Sequence, residues 1–487
     1  MSSPTPALAP TLRGTTVLKY LGQLCLVQTP LVLLPLLLAL AIGRRDEALR
    51  HAIVLGVLAV GGGLLSRLRA HERIHAYEAM VLAAASFVVA PLAMTWPMMS
   101  HGLSFVDALF ESVSGVTTTG LSTRAQVQDM PATFHFGRAL MQWYGGMGVV
   151  VFSVALVLRS GALTRVLSGT EHIEDDLVGG SKAHARRVLG VYGILTVACG
   201  LSLWALGAEP FHAIVYALSA VSTGGFSPHD DSLAGLGGPA IQTAVILFCL
   251  AGSTSLVWYR KLWHDGLRVA LRDEQVRTLL SLSAISVVLL SLLARFATGM
   301  SWLDALHHGP LMALSAQTTA GFSSIDPSQM SAGSRFIMMG AMLAGGGAGS
   351  TAGGIKVLRF LILTKVVHAM LIRISLPAHA VYEPKLGDRR IEREEIQEAL
   401  TVILLFIGVI VLSWFAFLVA GHRPFDALFE VVSATGTVGL STGLSSAADL
   451  AGGLKLVLCL DMWMGRLEVL PFLMLIYPGT WRAARGE

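Results

Sequence analysis

A chain of 487 residues that is 54% hydrophobic and only 14% charged lies far from the roughly 25% charged content of ordinary soluble domains, so no sizeable soluble domain can be carved out of it. Its formal net charge of +4 is too small and too scattered for a nucleic-acid footprint. The chain belongs in a bilayer, and its function is a membrane function.

Residues 1–16 hold several Pro and Thr and lack the basic-then-apolar order of a cleavable signal peptide; they read as a short cytoplasmic tail. Two apolar segments, 17–42 and 51–66, form a hairpin with no counterpart later in the chain. After it one unit recurs four times: a long apolar helix, a short segment, a Thr/Gly-rich stretch and a second long apolar helix. First helices are expected at 76–96, 188–207, 277–299 and 396–420, and second helices at 136–158, 238–259, 333–371 and 453–477. Crossing the hydrocarbon takes roughly 20 residues. The fold class is therefore an all-α membrane protein with four pseudo-repeated helix/pore-loop/helix units around a central pore and two extra N-terminal transmembrane helices. As domains, the hairpin takes 1–70 and the units take 71–170, 171–272, 273–385 and 386–487. The third second-helix is too long for one crossing, and Gly345, Gly346, Gly347, Gly349, Gly353 and Gly354 crowd its middle. So much Gly destabilises a helix, which predicts a break inside the membrane.

Arg and Lys concentrate in 67–73, 182–187, 260–272, 356–373 and 385–393, and this set is placed in the cytoplasm together with the N-terminus. Arg44, Arg45 and Arg50 are an exception on the outer side, partly offset by Asp46 and Glu47. Cys25, Cys199, Cys249 and Cys459 each lie in an apolar run, without the paired spacing of a zinc site or disulfide framework; they read as small buried hydrophobes.

The strongest signal is one pattern, Ser-x-x-x-Thr-x-Gly-(Leu/Phe)-Ser, found four times: Ser114, Thr118, Gly120, Leu121, Ser122; Ser219, Thr223, Gly225, Phe226, Ser227; Ser315, Thr319, Gly321, Phe322, Ser323; and Ser433, Thr437, Gly439, Leu440, Ser441. Thr119, Gly224, Ala320 and Val438 occupy the position between Thr and Gly. Asp107 to Glu111 matches Asp426 to Glu430 in the same register, which points to duplication. A cation entering a narrow pore must exchange water for other oxygens, and rings of backbone carbonyls supply them. Gly permits the backbone conformations involved, and the Thr hydroxyl adds an oxygen at the inner end. Each short segment is a pore helix whose C-terminal partial negative charge faces the cation. Asp107 and Asp426 are expected as N-caps of two of them, and Glu111 and Glu430, one turn on, are expected to hydrogen-bond behind the filter, the other reading being that they bias the outer mouth toward cations.

These motifs resemble the Trk/Ktr/HKT superfamily of cation transporters, and in particular its TrkH-type potassium-uptake branch. Gln142, Trp143, Tyr144, Gly145, Gly146, Met147 and Gly148 in the first unit, the 348–356 stretch in the third, and Gly465, Arg466, Leu467 and Glu468 in the last are similar to that family's signatures. The resemblance covers nearly the whole chain, and the N-terminal hairpin favours the TrkH branch. It implies that Gly120, Gly225, Gly321 and Gly439 line a potassium filter, in which Gly rather than Ser at the first position accompanies potassium preference. It also implies a homodimer in a bacterial inner membrane and a cytosolic, TrkA-type nucleotide-binding regulatory partner. Leu121, Phe226, Phe322 and Leu440 stand where tetrameric potassium channels carry Tyr, so a less selective K+/Na+ pathway stays open as an alternative.

Non-helical backbone at membrane depth is tolerated only inside protein or beside water, so the Gly-rich break is expected to cross the pore under the filter. The family resemblance makes it the gate. Lys356 and Arg359 at its end are expected as interfacial anchors. Arg466 sits within an apolar segment, where a charge costs at least roughly 2.5 to 3.5 kcal/mol. It is expected to latch the Gly-rich loop, the other reading being an ion pair with Asp461 or Glu468. An enzyme is not expected, because His212, His229, His307, His308 and His368 fall at helix ends and loops without a paired nucleophile. An ion-coupled carrier would bring inverted repeats and an acidic midplane site, whereas these repeats are parallel. No cofactor is expected in the chain, K+ being the transported ion, and membrane lipid is its solvent.

Overall fold

The computed structural model describes residues 12–70, 74, 76–159, 177–377, 383–387, 389–445 and 450–481, with backbone alone over 151–159 and 177–185. The first eleven residues of the expected tail and residues 71–73 of the first basic cluster lie outside this set. Apart from an antiparallel ribbon pairing Lys385–Leu386 with Arg389–Arg390, the described residues hold helices and connecting loops. Six helices among them are long and apolar enough to cross a bilayer, or seven with one bent pair counted as a single span.

The N-terminal pair packs as Gly14–Ile42, jogged at Gln28, against Arg45–Ser66. Gly22 and Gly62 meet at their crossing, where a Cβ on either would press the other's carbonyl oxygen. With no water to expel between helices in lipid, such close approach of small residues supplies the attraction. Arg44 is paired with Glu47, and Arg50 lies over the Trp96 ring and donates to its carbonyl at 3.2 Å. Arg44 and Arg50 are thus held by local partners.

Four segments of helix, short helix, loop and helix follow. Their first helices are Ala76–Met98, Leu177–Ala205, Glu274–Phe296 and Arg393–Val419, and their short helices are Phe105–Val116, Pro210–Val221, Trp302–Gln317 and Pro424–Thr435. The long helices turn bare apolar side chains outward, as Leu404, Leu412, Phe415 and Val419 do. That is the surface lipid requires. Three of the short helices, at 12 residues and buried along most of their length, rise only about 18 Å, and Trp302–Gln317, at 16 residues, about 24 Å, too little to span. Ser104 and Ser301 cap two of them by accepting from the N–H of Asp107 and Asp304. Pro210 and Pro424 open the other two, where a missing N–H costs nothing. Asp107 and Asp426 are therefore not the N-caps: the caps are Ser104 and Arg423, and the two Asp stand third in the helix, facing cations described below.

Three of the four second helices are interrupted. The third divides into Ala332–Ala344 and Val357–Ser375 around a loop at 345–356, as its Gly content predicts. The second, expected to be continuous over 238–259, ends at Ser253 and resumes as Trp258–Asp265 after a 95° bend. Its terminal peptide groups are taken by the 345–356 loop: Gly347 N donates to Ser253 O at 2.9 Å, Thr351 N to Gly252 O at 3.2 Å, and Leu256 N to Gly349 O at 3.2 Å. Those long-range bonds replace the intrahelical ones the backbone would otherwise need. The fourth, expected over 453–477, stops at Arg466 and restarts at Leu470. Pro471 lacks the N–H to continue a helix, and Glu468 and Val469 take the left-handed φ values of 57° and 65°.

Candidate functional site

The spacing of the repeated motif is the spacing of a helix ending. In each copy the Thr follows the last helical turn with a left-handed φ, 55° at Thr118, 53° at Thr223, 53° at Thr319 and 49° at Thr437. Its N–H returns to the carbonyl three residues back, and the next N–H returns five residues back to the motif Ser, as Thr119 N does to Ser114 O at 2.9 Å, Gly224 N to Ser219 O at 2.8 Å, Ala320 N to Ser315 O at 3.0 Å and Val438 N to Ser433 O at 2.8 Å. This is the Schellman ending, in which Gly ordinarily takes the left-handed position. A β-branched residue there is a backbone outlier, and four of them mark strain of about 1–3 kcal/mol each held by the surrounding packing. All four Thr are buried.

The glycines show how the turns meet. A Cβ on Gly120 would overlap the carbonyl oxygen of Gly224; one on Gly225, that of Ala320; one on Gly321, that of Val438; and one on Gly439, that of Thr119. Each turn thus lays its Gly against the preceding carbonyl of the next, and the fourth returns to the first. The ring is closed, and its contact surface is backbone. Gln142 brackets one member, its amide N donating to Gly224 O while its Oε1 accepts from Phe226 N at 3.1 Å.

The 345–356 loop lies against the Thr side of this ring. Gly353 N donates to Thr319 Oγ1 at 2.6 Å and Gly354 N to Gly436 O at 3.0 Å. A Cβ on Gly353 would strike Thr437 Oγ1. Thr351 Oγ1 lies 3.0 Å from Val221 O and 2.9 Å from Gly252 O, and Thr223 Oγ1 lies 3.3 Å from it. Gln317 donates to Gly345 O at 2.7 Å. The loop therefore touches three of the four ring threonines through hydrogen bonds or direct contact.

Compared with known proteins, residues 47–478 match the family model TrkH, described as a cation transport protein. The chain belongs to the TrkH family. A Trk system potassium uptake protein TrkH of Salmonella typhimurium is 32% identical over 391 residues, 79% of this chain and 81% of that protein. The protein of the same name from Halomonas elongata is 30% identical over 96% of this chain and 99% of its own length. The crystal structure of the potassium transporter TrkH from Vibrio parahaemolyticus superposes with a TM-score of 0.85 at 26% identity, over 97% of this chain and all of that one. The family is one of multi-pass transporters rather than enzymes.

In this TrkH-family chain Arg466 is buried and pairs with neither acidic neighbour: Nη1 donates to Thr351 O at 2.7 Å and Nη2 to Gly145 O at 3.4 Å. Glu468 is paired with Arg359, and Asp461 accepts from Ser413 Oγ at 2.6 Å. Lys356 and Arg359 are not the interfacial anchors expected of them. Lys356 is buried, with a φ of 76°, and its ammonium folds back onto Ala352 O at the loop's own end, while Arg359 joins the last helix break through Glu468. The unpaired backbone carbonyls of the loop draw both cations inward.

On the other side of the ring Glu111 accepts from Ser122 Oγ at 2.6 Å and Thr123 N at 2.8 Å, and Glu430 accepts from Ser441 Oγ at 2.8 Å and Ser445 N at 3.1 Å. Arg138 Nε lies 3.2 Å from Glu111, both side chains buried. Lys455 bonds Asp107 at 2.7 Å and Arg335 bonds Asp426 at 2.6 Å. Lys455 and Arg335 are each the fourth residue of a second helix and reach the short helix of another segment, whereas Arg138 stays within its own. Gln242, in the same position, meets His307 at 3.1 Å. Sequence reasoning passed over Arg138 and Gln317 as functional residues, and it quoted Gln142 and Thr351 only within family signatures. The available signal was polar residues embedded in apolar or Gly-rich runs.

Proposed function

We propose that this chain carries potassium into a bacterial cell across the inner membrane, through a filter made by Thr118, Thr119, Gly120, Thr223, Gly224, Gly225, Thr319, Ala320, Gly321, Thr437, Val438 and Gly439. The observation that carries the reading is the closed ring in which each Gly abuts the preceding carbonyl of the next turn. Such a ring presents backbone oxygens at similar height, as dehydration of a monovalent cation requires. Two of its inner hydroxyls, Thr118 Oγ1 and Thr437 Oγ1, are buried without a hydrogen-bond partner among the described residues, which suits oxygens meant for an ion. The short helices end at the ring, so their dipoles favour a cation there. The relatives' names, potassium uptake proteins, accord with this ion.

Control falls to Gly345, Gly346, Gly347, Gly349, Gly353 and Gly354 with Arg466. The loop blocks the Thr side of the ring, and the guanidinium holds it by Thr351 O. The basic connections put that side, and the N-terminus, in the cytoplasm. A homodimer and a cytosolic TrkA-type nucleotide-binding partner complete the proposed system. Rubidium flux into liposomes containing the purified chain tests the reading: Gly120→Ser and Gly439→Ser lower the preference for rubidium over sodium. Absence of flux from folded protein, or unchanged selectivity in both variants, overturns it.

A further inference from the structure

The helix end bonded to the gate loop continues into an elbow that the transport path leaves unused. Trp258–Asp265 leaves Pro239–Ser253 at 95°, so with Pro239–Ser253 upright in the bilayer it runs along the membrane plane, and a one-turn helix Leu267–Ala270 follows it. Trp258 Nε1 donates to Ala270 O at 2.9 Å, tying the two pieces into one body. Inward it presents Trp258, Tyr259 and Leu262. Outward it presents Trp263, 88% exposed, with Leu267, Val269 and Leu271. The same short stretch carries Arg260, Arg268 and Arg272, all exposed and without an ion-pair partner among the described residues, whereas Lys261 is taken by Asp273 at 2.9 Å.

An indole flanked by apolar side chains and unpaired guanidinium groups, lying parallel to the bilayer, is the composition of an interfacial anchor. A cytosolic protein surface would leave Trp263 and Leu267 in water when unbound, and the elbow's connection to a spanning helix gives it continuous access to headgroups. We infer that residues 258–272 bind the anionic headgroup surface of the cytoplasmic leaflet, Trp263 and Leu267 entering the acyl boundary and Arg260, Arg268 and Arg272 meeting lipid phosphates. Since Gly252, Ser253 and Leu256 at its root are hydrogen-bonded to Thr351, Gly347 and Gly349, lipid charge also bears on the loop; that coupling rests on the gate reading, and the lipid binding does not.

The test uses the full chain in phosphatidylcholine vesicles with increasing phosphatidylglycerol, and brominated versions of either lipid as quenchers. The fluorescence lost in Trp263→Phe defines the signal of that side chain. Brominated phosphatidylglycerol is expected to quench it more than brominated phosphatidylcholine at equal mole fraction, the preference falling about fivefold for each of Arg260→Gln, Arg268→Gln and Arg272→Gln. Thermal melting of the variants confirms folding. Equal quenching by both lipids, or by neither, overturns the inference, as does a disulfide-linked dimer from Trp263→Cys, which would put a second copy on this face. If quenching holds but rubidium flux in the triple Arg variant depends on phosphatidylglycerol as in the parent, the coupling fails and the lipid site stands. Raised flux in Arg466→Gln reports on the gate separately.

Discussion

At the scale of single residues the four Thr-x-Gly turns rest on two backbone conditions that side chains oppose. Gly321 has a φ of 72° and its missing Cβ leaves room for Val438 O. Gly321→Ala adds a left-handed penalty of about 1–2 kcal/mol and displaces a carbonyl of the neighbouring turn. The expected outcome is at least roughly a tenfold loss of selective rubidium flux, measured against sodium competition, in protein that still folds. Thr319 meets the 345–356 loop through its hydroxyl, which accepts from Gly353 N. Thr319→Val keeps the branched shape and removes the acceptor. A buried N–H left unmet costs about 1–3 kcal/mol, so the closed loop loses stability and basal flux rises, by up to roughly a hundredfold on that figure; flux no higher than the parent's would count against a gate held at this contact.

At the scale of elements, two buried cations lock helices to loops. Arg466 joins the end of Gly452–Arg466 to the middle of the 345–356 loop, and charged hydrogen bonds of this kind are worth about 1.5–3 kcal/mol. Arg466→Gln is expected to raise the open fraction roughly tenfold or more, seen as faster rubidium entry into proteoliposomes, with Arg466→Lys intermediate. Arg138 serves the other side of the ring, since Glu111 carries the post-filter segment through Ser122 and Thr123. Removing one partner of a buried pair costs about 3–5 kcal/mol, so Arg138→Gln is expected to lower the melting temperature in detergent sharply. A variant that melts with the parent would show that Glu111 needs no cation.

At the scale of the molecule, neighbouring segments are joined by one position in three of the four second helices. Arg335 crosses to Asp426 and Lys455 to Asp107, with Gln242 and His307 at a third seam. These pairs are partly exposed, and each is worth only about 1 kcal/mol or less. Their effect is expected in geometry rather than in stability: Arg335→Gln lowers rubidium-over-sodium preference while melting changes little, and the exchange Arg335→Asp with Asp426→Arg restores it. Failure of the exchange to restore selectivity would remove this seam from filter maintenance.

Much of this protein could be read from local order. The Ser-x-x-x-Thr-x-Gly spacing is a helix ending written in sequence, because the Schellman bonds join the Thr and its successor to residues three and five positions back. The apolar runs and the Gly cluster at 345–354 state helix and break directly, since both depend on neighbours in the chain. The bend after Ser253, the break after Arg466 and the inward turn of Lys356 were not legible. Within a bilayer every buried polar group must find a partner inside the protein, and which groups meet is settled by how distant segments pack. The loop from the third unit claims the helix end of the second, and its Thr351 carbonyl claims the arginine of the fourth. Sequence determined that four such turns exist and led one to expect a loop beneath them; only the tertiary structure decided which backbone atoms meet around the ring and which residues the loop touches, because those contacts join segments far apart in the chain.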